Sequence, residues 1–145
     1  YVPYICVVII VGLFAVIGGA KQPTHEQTIP TNWQKFEESA ISGAVKDGKV
    51  VFLDITADWC LNCKFNKEVI LSQNKVRQRL FESDDVIAMQ GDWTNKDPAI
   101  LDFIKRHGRY GIPFNAVYGP SAPNGILLPE ILTPQKIFDT IEKAK

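Results

Sequence analysis

Two cysteines, Cys60 and Cys63, are three positions apart in the stretch 59–64, WCLNCK. The preceding run, 50–56, is short, β-branched and apolar, and it predicts a buried strand leading into the pair. The residues after Cys60 predict a helix. A thiol at such a junction faces free backbone N–H groups and the positive end of the helix dipole, so we expect its pKa to fall. This pattern is typical of thiol–disulfide exchange.

Composition limits what can surround this pair. A chain of 145 residues predicts one domain with a proper core, even without its first 20 residues. The 16 basic and 16 acidic residues cancel, so nothing indicates a nucleic-acid-binding surface. Three cysteines are too few for a disulfide scaffold, and a C-x-x-C pair near a β/α pattern favours a redox role.

The first 20 residues carry no charge and are rich in Val, Ile, Leu and Phe. They predict a transmembrane helix over 1–20, followed by a polar, proline-containing linker over 21–31. A cleavable signal peptide is the competing interpretation, and the missing initiator Met and basic start weaken it. We therefore expect the chain to be the tail of a longer membrane protein. Cys6 is expected to be an ordinary apolar residue of the span, and His25 a solvated linker residue.

Hydrophobic periodicity and capping residues predict the other elements of residues 32–145. Four helices are predicted: one capped by Thr31 or Asn32 and ended by Asp47-Gly48, a long one after Cys60 interrupted at 72–74, one starting at Asp97-Pro98, and a last one capped by Thr133. Strands are predicted at 86–89, 114–118 and 126–128, and a loop over 119–125 joins the last two. Alternating strands and helices followed by a hairpin predict a three-layer sandwich with a mixed sheet.

Three stretches and a proline carry a family resemblance. The stretches 54–64 (DITADWCLNCK), 91–98 (GDWTNKDP) and 128–134 (LPEILTP), with Gly111-Ile112-Pro113, resemble the C-terminal domain of the DsbD family of thiol:disulfide interchange proteins. The resemblance covers nearly the whole chain. It implies a thioredoxin-like α/β sandwich with a mixed central sheet, preceded by one transmembrane helix. It also implies a bacterial inner-membrane protein with this domain in the periplasm, linked to cytochrome c-type biogenesis.

The resemblance also implies roles for individual residues. Cys60, expected to be the more exposed thiol, would attack a partner disulfide, and Cys63 would resolve the mixed disulfide. Asp54 matches a buried carboxylate that accepts the Cys63 proton, directly or through water, with a raised pKa. The competing interpretation of Asp54 is a strand-end acid bonded to backbone.

The same resemblance implies a substrate-binding edge near the cysteines. Pro113 matches a cis-proline that would leave the Ile112 backbone free to pair with a partner strand. A trans proline at the start of a strand is the plainer alternative. Trp59 and Tyr110 are expected to border this surface. No metal or other cofactor is expected.

Three functions follow as hypotheses. The favoured one is a protein-disulfide reductase whose exported domain takes electrons from a membrane domain of the same longer protein and passes them to exported thiol or disulfide partners. A membrane-tethered thiol oxidase or isomerase is the alternative, because the dipeptide Leu61-Asn62 leaves the redox potential open. The third is a non-catalytic module in which the cysteines bind zinc or form a static disulfide.

Overall fold

The computed structural model describes residues 31–145. The predicted transmembrane helix over 1–20, the linker up to residue 30, Cys6 and His25 lie outside the described residues. Between residues 31 and 145, no helix is long and apolar enough to cross a membrane.

One mixed sheet of five strands forms the centre of the domain. The strands are β1 (Gln34–Lys35), β2 (Val50–Thr56), β3 (Val86–Asp92), β4 (Phe114–Gly119) and β5 (Ala122–Leu127), in the spatial order β1-β3-β2-β4-β5. Both β1 and β2 run parallel to β3, whereas β4 runs antiparallel to β2 and to β5. The predicted change from parallel to antiparallel pairing is confirmed.

Helices flank the sheet. They are α1 (Glu38–Lys46), α2 (Leu61–Phe65) continuing as the π-helical segment Asn66–Leu71, α3 (Asn74–Arg77) continuing as the π-helical segment Gln78–Glu82, α4 (Pro98–Arg106) and α5 (Pro134–Ala144). The Asp97 and Thr133 side chains accept hydrogen bonds from backbone N–H groups of the first turns of α4 and α5. These caps, and the break between α2 and α3, are where the sequence predicts them.

Strand β2 is buried on both faces, so its alternate side chains enter two different cores. Val50 and Phe52 join the cluster under α3, α5 and the segment Asn66–Leu71. The intervening residues Val51, Leu53 and Ile55 join the cluster under α1 and α4. The predicted three-layer sandwich is therefore confirmed, and even-numbered residues of β2 face the side of the sheet on which the helix after the cysteines packs.

The prediction of a helix from Thr31 or Asn32 is wrong at its start. Residues Gln34–Lys35 form the edge strand β1, and α1 begins only at Glu38. The reason is the placement of two aromatic rings. Trp33 packs against Phe52 in one core, whereas Phe36 packs on Phe103 of α4 in the other. Residues three apart lie on opposite faces of an extended chain but on the same face of a helix, so only a strand can fill both cores.

The loop that the sequence predicts over 119–125 is shorter in the structure. Strand β5 begins at Ala122, which leaves only Pro120 and Ser121 between the paired strands. The glycine at position 125 has a φ of +82° within β5, and a Cβ there would lie 2.5 Å from the Tyr118 ring. The Asn-Gly pair therefore lies inside β5, opposite a shift in register between β4 and β5, and it does not form the turn that joins the two strands.

Gly119 gives a stability prediction. A Cβ at this position would lie 2.2 Å from the backbone oxygen of Ala144, at the end of α5. We expect Gly119→Ala to lower the free energy of unfolding by about 1–3 kcal/mol, because the helix end must shift. Chemical denaturation of the full chain in detergent measures this. The matched control is Gly43→Ala in α1, where a Cβ would meet no atom within 4 Å beyond its chain neighbours and its own helix backbone, and a gain of about 0.5–1 kcal/mol is expected. Equal effects of the two changes would contradict the prediction.

Candidate active site

The two cysteines form a disulfide at the start of α2, with an S–S distance of 2.08 Å. Cys60 is the N-cap residue of the helix, and its Sγ accepts a hydrogen bond from the Cys63 N–H at 3.2 Å. A thiolate at this position is stabilised by that N–H and by the helix dipole. Both residues are buried, with 6% and 4% exposed, so exposure barely separates them in the disulfide form. Position at the helix end distinguishes Cys60.

Asp54 lies in a row of three polar side chains that crosses the sheet. The strand registers place Gln90 of β3 and Asn115 of β4 directly opposite Asp54 of β2. The Gln90 Nε2 donates to Asp54 Oδ2 at 2.9 Å, and the Asn115 Nδ2 donates to Asp54 Oδ1 at 2.8 Å. By strand alternation all three lie on the same face as Phe52, the face over which the cysteine-bearing helix packs. The hydrogen-bond partners of the Asp54 carboxylate are therefore two side-chain amides, and not the backbone that the competing interpretation assumed.

The surroundings of Asp54 change the pKa of its carboxyl group. The carboxyl is only 5% exposed, and burial raises its pKa above the ordinary value. The hydrogen bonds from Gln90 and Asn115, and the positive charge of Lys67 in the segment Asn66–Leu71, offset part of that rise. The direction agrees with the expectation from the sequence. A carboxylate with a raised pKa is a stronger base than an exposed aspartate, which is the property that a proton acceptor needs.

Gln90 and Asn115 were not among the residues that the sequence analysis selected. The signal for them is an amide inside an otherwise apolar strand, since Gln90 follows Val86-Ile87-Ala88-Met89 and Asn115 lies between Phe114 and Ala116. A buried amide needs a hydrogen-bonding partner. The sequence does not say which partner, because that depends on how three strands align.

The Ile112-Pro113 peptide bond is cis, as the resemblance implies. Pro113 is buried, and the half-buried Ile112 packs against the cluster formed by Ala57 and the two cysteines. A groove of about 380 Å³ lies beside this loop, lined by residues 108–113 and Glu130. The structure thus brings the predicted Ile112 and Pro113 to the disulfide.

The loop over residues 93–97, which follows β3, supports Trp59. The indole Nε1 of Trp59 donates to the Thr94 carbonyl at 3.1 Å, and its ring lies 5.9 Å from that of Trp93. The Asp58 N–H donates to Thr94 Oγ1 at 3.0 Å, and the Lys96 ammonium lies 5.9 Å from the centre of the Trp59 ring. Trp59 nevertheless stays 49% exposed. The segment 91–98, which contributes to the family resemblance, therefore orients the residue before the cysteines.

His107, the histidine among the described residues, makes its side-chain hydrogen bonds to residues of α4 and β4 and to none of the site residues. His107 has one ring nitrogen 2.9 Å from the Phe103 carbonyl and the other 2.9 Å from the Tyr118 hydroxyl. Because the carbonyl only accepts, Nδ1 is a protonated nitrogen, and in the neutral ring Nε2 then accepts from the Tyr118 hydroxyl. Over residues 31–145, no group of three or more His, Cys, Asp or Glu side chains is placed to hold a metal ion.

The fold and the site together define a class. A mixed sheet with helices on both sides, a C-x-x-C pair at a helix N-terminus, a buried carboxylate beneath and a cis-proline beside it are the parts of a thioredoxin-like domain. Residues 32–120 match the family Thioredoxin_7, described as thioredoxin-like. The chain belongs to the thioredoxin-like family.

Similar proteins narrow this class further. The thiol:disulfide interchange protein DsbD of Cronobacter sakazakii is 35% identical over 81 residues, which are 54% of this chain and 14% of that protein. The C-terminal domain of Neisseria meningitidis DsbD, in its oxidised form, superposes with a TM-score of 0.59 and 26% identity, covering 74% of this chain and 91% of that domain. A Thermus thermophilus thioredoxin, 14% identical over 78% of this chain and 87% of its own, shares the fold with a TM-score of 0.57. The chain is a thioredoxin-like domain homologous to DsbD, and it spans about a seventh of the length of that curated relative.

Proposed function

We propose that this chain is the exported relay domain of a membrane protein-disulfide reductase, which passes electrons to a partner disulfide through Cys60 and Cys63. One observation supports this function above all: Cys60 caps α2 and is bonded to Cys63 in its first turn, with Asp54 on the face of the sheet over which this helix packs, in a domain homologous to thiol:disulfide interchange proteins. An activity of this class needs no bound cofactor, because the two thiols themselves carry the electrons.

The first step uses Cys60. In the reduced domain, the Cys60 thiolate attacks one sulfur of the partner disulfide, so that a Cys60–partner S–S bond forms and the partner S–S bond breaks. The released partner thiolate takes up a proton. The N–H of Cys63 and the start of α2 favour the thiolate over the thiol at Cys60.

The second step uses Cys63 and Asp54. The Cys63 thiol gives its proton to the Asp54 carboxylate, directly or through one water, and the resulting thiolate attacks the Cys60 sulfur. The Cys60–Cys63 disulfide forms, the mixed disulfide breaks, and the second partner thiolate leaves and takes up the proton held by Asp54, which restores the carboxylate. Counted from the dithiol, the domain has lost two electrons to the partner and two protons, that of Cys63 by way of Asp54 and that of Cys60 to solvent when its thiolate formed. It returns to the dithiol form when a membrane donor domain reduces it.

Exposed apolar side chains around the disulfide fit a docking surface for the partner. Trp59, Leu61 and Tyr110 are 49%, 79% and 82% exposed, although large apolar side chains are usually buried. The residues Ile112 and Pro113 form the adjacent edge, where a short extended segment of the partner can pair with backbone. This surface positions the partner sulfur for attack.

The apolar stretch 1–20 and the DsbD homology support the proposed location. The stretch anchors the chain in a bacterial inner membrane, and the domain after it lies in the periplasm. Electrons reach Cys60 and Cys63 from a membrane domain of the same longer protein and leave to exported thiol or disulfide proteins.

The reduction potential of the Cys60–Cys63 pair tests the direction of electron flow. We expect equilibration of the full chain with glutathione buffers to give a value nearer to about −270 mV than to about −120 mV. As a control, a variant carrying Leu61→Pro and Asn62→His is expected to be more oxidising, since this dipeptide tunes the potential. A wild-type potential at the oxidising end would contradict the reductase and support the oxidase or isomerase.

A further inference from the structure

The buried side-chain amide of Asn115 makes a hydrogen bond through its nitrogen but, within the part of the chain that the structure describes, none through its oxygen. It is 3% exposed, and its Nδ2 donates to Asp54 Oδ1 at 2.8 Å. Its own Oδ1 is buried without a hydrogen-bond partner among the described residues. A buried amide oxygen without a donor is costly, so its presence beside the proton acceptor of the proposed reaction calls for a physical reason.

The observed orientation of the amide fits an ionised Asp54. Both carboxylate oxygens accept hydrogen bonds, Oδ2 from Gln90 and Oδ1 from Asn115, and each donor is an NH₂ group. A protonated Asp54 has an O–H that must donate, and an NH₂ group cannot accept it. A half-turn of the Asn115 amide would bring Oδ1 to the position that Nδ2 now occupies, because the two ends of an amide have nearly the same size and shape.

The two amide partners of Asp54 differ in their surroundings. Gln90 on β3 is only half-buried, whereas Asn115 is buried. The amide oxygen of Gln90 is therefore not a buried acceptor without a donor, as that of Asn115 is. The unpartnered oxygen belongs to Asn115, which β4 holds directly opposite Asp54. Asn115 is therefore the partner whose unused atom matches what the protonated acid needs.

We propose that Asn115 is a positioning residue for the proton transfer at Asp54. Through Nδ2 it donates to the carboxylate, and after the amide turns over it accepts the carboxyl O–H through Oδ1. Both protonation states of Asp54 thus keep a hydrogen bond when the Cys63 proton arrives and leaves. The role in catalysis rests on the function proposed above; the coupling between amide and carboxyl does not.

Other groups that act on Asp54 are few. The charged side chain whose field reaches it, among the described residues, is Lys67. The thiols of Cys60 and Cys63 are absent as long as the disulfide is intact, and the side chains of Lys64 in α2 and Glu68 in the segment after it are exposed. Measurements on the oxidised chain therefore isolate Asp54 and its two amide partners.

A side-chain NMR titration of the oxidised full chain in detergent tests the coupling. With ¹³C-labelled Asp and ¹⁵N-labelled Asn, we expect the Asp54 carboxyl carbon and the Asn115 side-chain nitrogen to titrate with one midpoint. The Asp54 signal is assigned by its loss in Asp54→Asn. An Asn115 nitrogen that does not follow the Asp54 midpoint would overturn the proposal, and this experiment needs no variant of Asn115.

A substitution gives the second arm. Asn115→Leu removes a donor to the carboxylate at similar side-chain volume, so we expect the Asp54 midpoint to move upward by about one pH unit. Asn124→Leu, the same change at an exposed position of β5, is expected to leave it unchanged. An unmoved midpoint in Asn115→Leu would overturn the proposal. Neither arm involves exchange with a partner, so a failure of the reductase function would appear separately, as the absence of a covalent partner adduct when Cys63 is replaced by Ser.

Discussion

Replacing Cys63 by Ser is expected to trap partners covalently. In this variant Cys60 can still attack a partner disulfide, but no second thiol is available to release it, so the mixed disulfide accumulates. We expect a higher-mass species of the full chain in its membrane, lost on treatment with a thiol reductant. Cys60→Ser is expected to form no such species and to lose exchange activity by about three orders of magnitude or more, because it removes the nucleophile.

Cys6, the third cysteine, is the obvious confounder. The experiment is therefore made with Cys6→Ser in every variant, and the double change Cys60→Ser with Cys63→Ser serves as the blank. Absence of an adduct in Cys63→Ser, together with alkylation of Cys60 no faster than that of an ordinary thiol, would remove the relay function. Adducts in the blank would mean that the trapping does not involve the C-x-x-C pair.

Asp54→Asn is expected to slow the resolving step by about a hundredfold at neutral pH. The change keeps the size of the side chain but removes the proton acceptor for Cys63, and general base catalysis contributes at least that much in many enzymes. Release of a thiol from a preformed Cys60 mixed disulfide, followed by stopped flow across pH 5–9, measures this step. Asp58→Asn, an exposed acid next to the motif, is the matched control and should change the rate little. Unchanged kinetics in Asp54→Asn across neutral pH would exclude Asp54 from the mechanism.

The same variant has an expected effect on stability. Burial raises the pKa of folded Asp54 above its ordinary value of 3.8, so the folded state holds this proton more tightly than the unfolded state. That contribution to stability is complete below pH 3.8 and is lost as the pH rises through the folded pKa. We therefore expect oxidised Asp54→Asn to be more stable than the wild type at pH 7, and the gain to vanish in acid. Thermal unfolding at several pH values measures this, and a gain independent of pH would contradict the assigned cause.

The sequence by itself predicted the parts of the molecule that depend on local signals. The strand before Cys60 is an apolar run apart from Asp54 and Thr56, and the starts of α4 and α5 carry an acceptor side chain followed by proline, so neighbouring residues are enough to specify them. The C-x-x-C pair at a strand-to-helix junction is equally local. These features, with the family resemblance, led to the thioredoxin-like fold and to Cys60, Cys63, Asp54, Ile112 and Pro113.

Tertiary structure decided what depends on the alignment of distant segments. Residues around Trp33 and Phe36 have a helical pattern, yet they form a strand because their rings enter two cores on opposite faces of the sheet. Asp54 is 36 residues from Gln90 and 61 from Asn115, and only the registers of β2 with β3 and with β4 make them one row. A shift of one residue in either register would turn an amide to the other face. For this reason the cysteines can be found in the sequence, whereas the hydrogen bonds that Asp54 accepts exist only in the folded sheet.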